Sequence, residues 1–232
     1  MVPLEGTAAA AIAERLAKVQ ASMDQATLEA HRPLGSVKLL AVSKFHPVES
    51  VLAACEAGQR LFGENRVQEA ATKFPLVKER WPEVRLHIIG ALQTNKARQA
   101  AALADVLESL DRPALASALE KASDSLGRLP ILYVQVNTGA EPQKAGIALE
   151  EADRFIDDCK KRFGNHVQGL MAIPPQGQDP AMHFRLLTEL ATHHDLPVRS
   201  MGMSGDYGAA IRAGSTEVRV GTAIFGPRPL QL

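Results

Sequence analysis

The strongest constraint on the fold is an alternation of short apolar segments with helical segments along most of the chain. Eight segments have the length and composition of buried strands: residues 37–43, 60–63, 85–90, 104–109, 131–137, 167–172, 198–201 and 217–221. Near-continuous apolar strands that alternate with helices predict a parallel sheet, because helices cover both faces of such a sheet.

The segments between the strands contain helix start and stop signals. Pro47 begins one helix and Gly58 ends it, Pro113 begins another, and Asp179 precedes a third. Ser204 is positioned to cap the last helix. A further helix is predicted at about residues 7–30, ahead of the first strand, because apolar residues recur there at spacings of three and four.

Eight strands in a chain of 232 residues predict an α/β fold, a single (β/α)8 TIM barrel with an extra N-terminal helix. We expect residues 1–232 to form one domain. An open doubly wound sheet is the alternative. The glycine fingerprint of dinucleotide-binding sheets does not follow the first strand, so the closed barrel is favoured.

Composition excludes several classes of partner. Lysine plus arginine and aspartate plus glutamate both number 26, so no overall charge attracts nucleic acid or an anionic membrane. We identify neither a membrane-length apolar segment nor a secretion signal, and a cytoplasmic protein is expected. Cys55 and Cys159 fall in helical patterns, which favours small core residues over a disulfide.

Lys44 directly follows the first predicted strand and precedes the helix that begins at Pro47. A lysine held at the end of a buried strand can have its pKa lowered by desolvation, and its amine can then attack a carbonyl. A Schiff base with pyridoxal phosphate is the reaction that such an amine best supports. The alternative is a solvated lysine in a surface loop.

Two loops rich in small residues follow the last two predicted strands. Residues 202–206 and the pair Gly221-Thr222 offer free backbone N–H groups where helices begin, and Ser204 adds a hydroxyl. Barrels often bind phosphate with the loops after strands seven and eight. Together the two loops predict a phosphate site, although Ser204 on its own could simply cap its helix.

Three polar residues in or near the predicted strands each allow more than one role. Arg219 lies within an apolar strand and needs a partner, which could be a pyridine nitrogen, a phosphate, or Glu64 or Glu217 in a structural ion pair. His87 alternates with apolar neighbours and fits either a cofactor contact or a satisfied interior residue. Asn65 could contact a ring substituent or cap the following helix.

No catalytic residue or metal ligand is predicted. The HExxH, paired CxxC and GxSxG patterns do not occur. His193, His194 and Asp195 are consecutive, and adjacent residues do not share a helix face. Histidine at a helix C-terminus is favoured by the helix dipole, which explains the pair without a metal.

Several motifs together resemble the pyridoxal phosphate homeostasis proteins, the YggS/PROSC family. The resemblance extends in order from about residue 37 to 228 and is based on residues 41–44 (AVSK), 62–65 (FGEN), 87–90 (HIIG), 92–96 (LQTNK), 169–173 (GLMAI), 200–207 (SMGMSGDY) and 218–226 (VRVGTAIFG). Arg66, Leu86 and Ala91 depart from the family's frequent tyrosine, tryptophan and histidine, which affects expectations about the second and third loops.

The resemblance implies a barrel similar to the N-terminal domain of alanine racemase, of fold type III, with pyridoxal 5′-phosphate (PLP) held as a Schiff base on Lys44. It implies phosphate contacts from Ser204 and from the Gly221-Thr222 backbone. The predicted cofactor-binding set is Lys44, Asn65, His87, Met203, Ser204, Arg219, Gly221 and Thr222.

The function implied by the resemblance is PLP and amino-acid homeostasis without established turnover, with PLP-dependent apo-enzymes as candidate partners. A PLP-dependent amino-acid racemase is the alternative, but racemases of this fold take an opposing tyrosine from a second domain, which is not expected in this chain. Only Tyr133 and Tyr207 are present. Without the second domain a monomer is expected. A phosphosugar isomerase would explain the phosphate loops but not the other motifs.

Overall fold

The computed structural model describes residues 6–139, 141 and 143–227. Its strands are β1 (Lys38–Val42), β2 (Leu61–Glu64), β3 (Arg85–Ile88), β4 (Val106–Leu110), β5 (Ile131–Asn137), β6 (Ile147–Ala148), β7 (Val167–Met171), β8 (Val198–Met203) and β9 (Glu217–Val220). Eight of these correspond to the predicted strands. The two-residue strand β6 was not predicted, because so short a segment carries no periodic signal.

The strands form a closed parallel barrel. Hydrogen bonding follows the order β4-β3-β2-β1-β9-β8-β7-β5, and a further pairing of β4 with β5 completes the ring. The first and last strands are neighbours, with Leu40 in register with Arg219. Strand β6 pairs only with the end of β5. The predicted (β/α)8 TIM barrel is therefore confirmed.

Helices connect the strands and cover the outside of the barrel. They are α1 (Gly6–Glu29), α2 (Val48–Glu56), α3 (Val67–Arg80), α4 (Ala97–Leu103), α5 (Pro113–Leu126), α6 (Leu149–Phe163), α7 (Pro180–His193), α8 (Tyr207–Arg212) and α9 (Thr222–Phe225). The extra N-terminal helix is confirmed as α1, which packs against α2, α8 and α9. Asp179 caps α7 by accepting from the Ala181 amide at 3.0 Å.

The prediction that Ser204 caps the helix that follows it was wrong. Helix α8 begins at Tyr207, and Asp206 occupies the N-cap position. An additional turn separates β8 from α8, because Asp206 N donates to Met203 O at 3.0 Å and Met203 N donates to Asp206 Oδ1 at 2.6 Å. Ser204 lies within this turn, so its hydroxyl is not committed to a helix cap.

The two faces of the strands differ in polarity. Val218 and Val220 of β9 point to the apolar layer between barrel and helices, whereas Glu217 and Arg219 alternate with them and point inward. The outer layer contains well-packed aromatic pairs such as Phe62 and Phe74, whose ring centroids are 6.0 Å apart in an edge-on arrangement. The apolar layer therefore stabilises the barrel while its interior carries polar groups.

The cysteines and the helix lengths bear on two further predictions from the sequence. Cys55 and Cys159 are both free and buried, and burial raises the pKa of each thiol to about 12. Within residues 6–139, 141 and 143–227, no helix combines the length and apolar character needed to cross a bilayer.

Truncation of Phe74 tests the apolar layer. Phe74→Ala should lower the free energy of unfolding by about 3–5 kcal/mol, because it leaves a cavity beside Phe62. Leu76→Ala is the matched control on the same helix, since Leu76 is 39% exposed; its effect should stay within about 0.5 kcal/mol. Urea denaturation measures both, and equal effects would contradict this packing.

Candidate functional site

A cavity of about 430 Å³ opens at the carboxyl ends of the barrel strands. Seven of the eight residues predicted to bind the cofactor line it: Lys44, Asn65, Met203, Ser204, Arg219, Gly221 and Thr222. They lie within or just after β1, β2, β8 and β9, which are consecutive in the barrel. Residues far apart in the sequence thus meet because these strands are neighbours.

Two lysines, Lys44 and Lys144, line this cavity. Lys44 stands two residues after β1 and is half-buried. Lys144, between β5 and β6, also lines the cavity, and its ammonium contacts Pro174 O at 3.2 Å and Glu141 Oε2 at 2.5 Å. Lys144 was not predicted, because the segment between β5 and β6 has no periodic pattern to place it at the cavity.

The loops after β8 and β9, where the sequence predicts a phosphate site, line part of the cavity. Thr222 begins α9, so the first N–H groups of that helix have no partner within it. A Cβ at Gly221 would lie 3.1 Å from the Val42 carbonyl oxygen, which shows how closely the loop approaches β1. Gly202 has a φ of +96°, and a Cβ there would lie 2.6 Å from the Ala210 Cβ. Glycine is therefore needed where α8 packs under the loop.

Arg219 is buried in the floor of the cavity. Its Nη1 donates to Ser200 O at 2.6 Å and to Ser200 Oγ at 2.8 Å, and its Nη2 donates to Ala172 O at 2.9 Å. Burial lowers the pKa of its guanidinium, but the carboxylates of Glu108 and Glu217 oppose that shift. These bonds fix the guanidinium plane and leave further N–H donors for a ligand.

The proposed ion pair of Arg219 with Glu64 is not formed. Glu64 instead accepts from Lys73 at 3.0 Å, whereas the carboxylate nearest to Arg219 is Glu108, with Oε2 at 4.0 Å. The Arg219 guanidinium is therefore anchored mainly by carbonyl and hydroxyl oxygens. The alternatives of contact with a ring nitrogen or with phosphate remain predictions.

The structure does not place His87 on the cavity wall. His87 is 3% exposed, and its Nδ1 lies 2.7 Å from Glu108 Oε1 and 3.5 Å from Glu217 Oε1. Burial alone would lower the pKa of His87, but the charge of Glu217 and the hydrogen bond to Glu108 outweigh it and raise the pKa to about 10. The geometry favours the interior role of His87 over cofactor contact, because the residue does not line the cavity and carboxylates already partner its Nδ1.

This buried cluster connects to Arg219 through Ser200. Ser200 Oγ donates to Glu108 Oε2 at 2.6 Å and also lies 2.8 Å from Arg219 Nη1. Burial raises the pKa of Glu217, whereas hydrogen bonding and charge from His87 hold the pKa of Glu108 below its usual value despite burial. The cluster therefore fixes the floor of the cavity from below.

Asn65 lines the cavity and does not cap the next helix. Helix α3 begins at Val67 with Arg66 in the N-cap position, and no side chain caps it. A Cβ at Gly90 would lie 2.3 Å from the Asn65 carbonyl oxygen. The loops after β2 and β3 are therefore in direct backbone contact, and this contact positions Asn65.

Several other cavity residues were outside the predicted set. Asn137 and Ile173 end or follow strands, as the predicted residues do, so strand-end position was a usable signal for them. Gln135 points inward from within β5 and donates to Ala145 O at 3.1 Å. No local sequence signal marks that side chain as lining a cavity.

The histidine pair at the end of α7 is near an acidic partner. Donor atoms of Asp153, His193 and His194 lie within 4.8 Å of one another. His194 is buried, and its two ring nitrogens lie 2.8 Å from Asp153 and 3.4 Å from Asp157. The hydrogen bond between His194 Nε2 and Asp153 accounts for this contact without a metal, and Asp195 is not part of the group.

Comparison with known proteins decides the family. The sequence model described as alanine racemase, N-terminal domain, matches residues 10–229. The pyridoxal phosphate homeostasis protein of Vibrio cholerae is 39% identical over 228 residues, covering 94% of this chain and 96% of that protein. The chain belongs to the pyridoxal phosphate homeostasis protein family. The family member of Escherichia coli K12 is 37% identical over 227 residues, covering 94% and 97%.

Solved structures agree with this family assignment. PipY of Synechococcus elongatus, in a structure with PLP bound, is 38% identical with a TM-score of 0.77, covering 93% of this chain and 100% of that one. Alanine racemase of Corynebacterium glutamicum is 19% identical with a TM-score of 0.68, covering 95% of this chain and 62% of that one. The racemase therefore shares the barrel fold.

Crowding at Gly90 tests the position of Asn65. Gly90→Ala should lower the free energy of unfolding by about 1–3 kcal/mol, because the new methyl group meets the Asn65 backbone. Gly205→Ala is the control, since a Cβ there meets no atom within 4 Å and its φ is not positive. Urea denaturation compares the two, and a stable Gly90→Ala protein would contradict the loop contact.

The raised pKa of His87 predicts a pH dependence of stability. The folded protein binds the His87 proton more tightly than the unfolded chain, so the stabilisation is complete below pH 6.5 and is lost as pH rises towards about 10. The difference in unfolding free energy between wild type and His87→Gln should shrink over that range, by at most about 1.4 kcal/mol per pH unit.

The control for His87 is the exposed histidine His193. His193→Gln should leave the pH dependence of stability unchanged. A wild-type advantage over His87→Gln that stays constant from pH 6.5 to 10 would show that His87 carries no stabilised proton.

Proposed function

We propose that this protein binds PLP in the barrel cavity, covalently as a Schiff base on Lys44, and serves PLP homeostasis without catalytic turnover. The observation that carries the proposal is the convergence of Lys44 with the loops at Ser204 and Gly221-Thr222 on one cavity. Membership of the pyridoxal phosphate homeostasis family and the likeness to PLP-bound PipY support it.

The donor groups around the cavity fit the chemistry of PLP. Backbone N–H groups at Gly221 and Thr222 and the Ser204 hydroxyl suit a phosphate, and the cavity of about 430 Å³ suits a small aromatic ligand. When bound, PLP supplies an electrophilic aldehyde carbon. The Lys44 nitrogen adds to that carbon, and the aldehyde oxygen leaves as water.

Arg219 has a separate role in this proposal. Its guanidinium is held in place by Ser200 and Ala172 and offers only donors. An arginine that faces the pyridine nitrogen would donate to it and leave that nitrogen without a proton. The residue would thus fix the ring's orientation and its protonation state together.

The racemase alternative has less support from the site. Racemisation needs a proton acceptor on each face of the substrate carbon. Tyr133 packs inside the barrel against His87, with ring centroids 6.2 Å apart, and the Tyr207 hydroxyl donates to Ser22 on α1 at 2.9 Å. Neither tyrosine is among the described residues that line the cavity.

The remaining assignments are extensions of the same proposal. A single domain over residues 1–232, a monomer, a cytoplasmic location and transfer of PLP to apo-enzymes are consistent with a small carrier. Each awaits its own measurement, such as sedimentation for the monomer.

Lys44 is tested by spectroscopy of the purified protein with added PLP. Wild type should develop the visible absorption band of a Schiff base, and borohydride reduction followed by peptide mass mapping should locate PLP on Lys44 rather than Lys144. Lys44→Ala should lose the band entirely. Lys38→Ala is the matched control, since Lys38 is exposed at the other end of β1 and should keep it.

Two results would contradict the proposal. Wild-type protein that gains no band with PLP would rule out covalent binding. Conversion of L-alanine or another amino acid to its enantiomer, detected by chiral chromatography and abolished by Lys44→Ala, would favour the racemase.

A further inference from the structure

A buried ion network lies next to Lys44 but does not line the cavity. Lys73 of α3 is 6% exposed, and its ammonium donates to Glu69 Oε1 at 2.6 Å, Glu64 Oε1 at 3.0 Å and Ser43 O at 3.1 Å. Because Lys73, Glu64 and Glu69 are absent from the cavity wall, they are not ligand contacts.

This network bonds to both residues that flank Lys44. Ser43 lies before it, and its hydroxyl donates to Glu64 Oε1 at 2.7 Å while its carbonyl accepts from Lys73. Phe45 lies after it, and its amide donates to Glu69 Oε1 at 2.6 Å. The backbone of Lys44 is therefore fixed on both sides by one connected set of charged groups.

Phe45 has a backbone conformation that needs such support. Its φ is +68°, in the left-handed region that bulky L-residues seldom occupy. Strain of this kind persists where the surrounding structure holds it, often at functional sites. The bond from the Phe45 amide to Glu69 is one such restraint, and it sets the turn by which the chain leaves β1 for α2.

Burying the charged groups of this network costs free energy. Glu64 is fully buried, its Oε2 has no hydrogen-bond partner among the described residues, and burial raises the pKa of its carboxyl against the opposing effect of Lys73. Buried ion pairs generally add little stability compared with apolar packing. These polar side chains hydrogen-bond the backbone on both sides of Lys44, which apolar side chains could not do.

We propose that Lys73, Glu64 and Glu69 are positioning residues that hold the Lys44 amine at the cavity for covalent capture of the PLP aldehyde. The inference rests on the proposed function. It predicts that damage to the network weakens covalent capture more than it weakens recognition of the phosphate and ring.

Glu69 is the best position for the test. Its side chain is 21% exposed, and Lys73 keeps Glu64 as a partner when Glu69 is removed. Glu69→Ala deletes the acceptor for the Phe45 amide, whereas Glu69→Gln keeps an oxygen there. Lys78→Met is the matched control, because Lys78 lies on the same helix and pairs with Asp105 at 2.6 Å, away from residues 43–45.

Two ligands separate capture from recognition. PLP can link to lysine, whereas pyridoxine 5′-phosphate carries a hydroxymethyl group in place of the aldehyde and cannot. Glu69→Ala should weaken PLP binding about tenfold, the effect of one hydrogen bond to a charged group. It should leave pyridoxine 5′-phosphate affinity nearly unchanged. Glu69→Gln should recover most of the PLP affinity, and Lys78→Met should match wild type for both ligands.

The same measurements can overturn the inference. Equal losses for both ligands in Glu69→Ala would indicate general damage to the fold, and undiminished PLP binding would show that the network does not position Lys44. If wild type itself binds pyridoxine 5′-phosphate but shows no Schiff-base band with PLP, the proposed covalent function fails and the positioning role fails with it.

The Phe45→Gly variant provides a second test, of the restraint that Glu69 places on residue 45. Glycine adopts a φ of +68° without support, so removal of the Glu69 acceptor should matter less there. Glu69→Ala should therefore cost less PLP affinity in Phe45→Gly than in wild type. An equal or larger loss in that background would contradict the restraint on Phe45.

Discussion

Closure of the parallel barrel is the constraint on which the site depends. Pairing of β1 with β9 makes the first and last strands neighbours, and β2 and β8 lie on either side of them. Because all strands run in the same direction, their carboxyl ends meet at one rim. Lys44, Asn65, Ser204 and Thr222 therefore converge, although they come from both ends of the sequence.

The barrel carries charged groups in its interior, and its main apolar layer lies outside, between the strands and the helices. Arg219 forms the cavity floor, and His87, Glu108 and Glu217 lie deeper, joined to it through Ser200. Such groups are tolerable only because each charge has a partner of opposite sign or several oxygens around it. The helices bury the apolar faces of the same strands, so the interior can carry polar groups.

Three lysines near the cavity show why residue type alone does not define a role. Lys44 and Lys144 line the cavity, whereas Lys73 is buried among carboxylates and holds the backbone beside Lys44. Lys44 and Lys144 lie in loops that follow strands, whereas Lys73 lies in the middle of α3. The surroundings of each ammonium, supplied by other segments of the chain, distinguish a lysine on the cavity wall from one that fixes the fold.

The sequence by itself determined the eight barrel strands, the N-terminal helix and seven of the residues that line the cavity, because apolar periodicity and strand-end position are local properties. The family motifs pointed to Lys44 and to the loops after β8 and β9, which line the cavity. Only the tertiary structure decided that His87 pairs with buried carboxylates, that Lys144 reaches the cavity and that Ser204 is no helix cap. Those outcomes depend on which distant side chains and turns surround each residue, and closure of the barrel sets those neighbours.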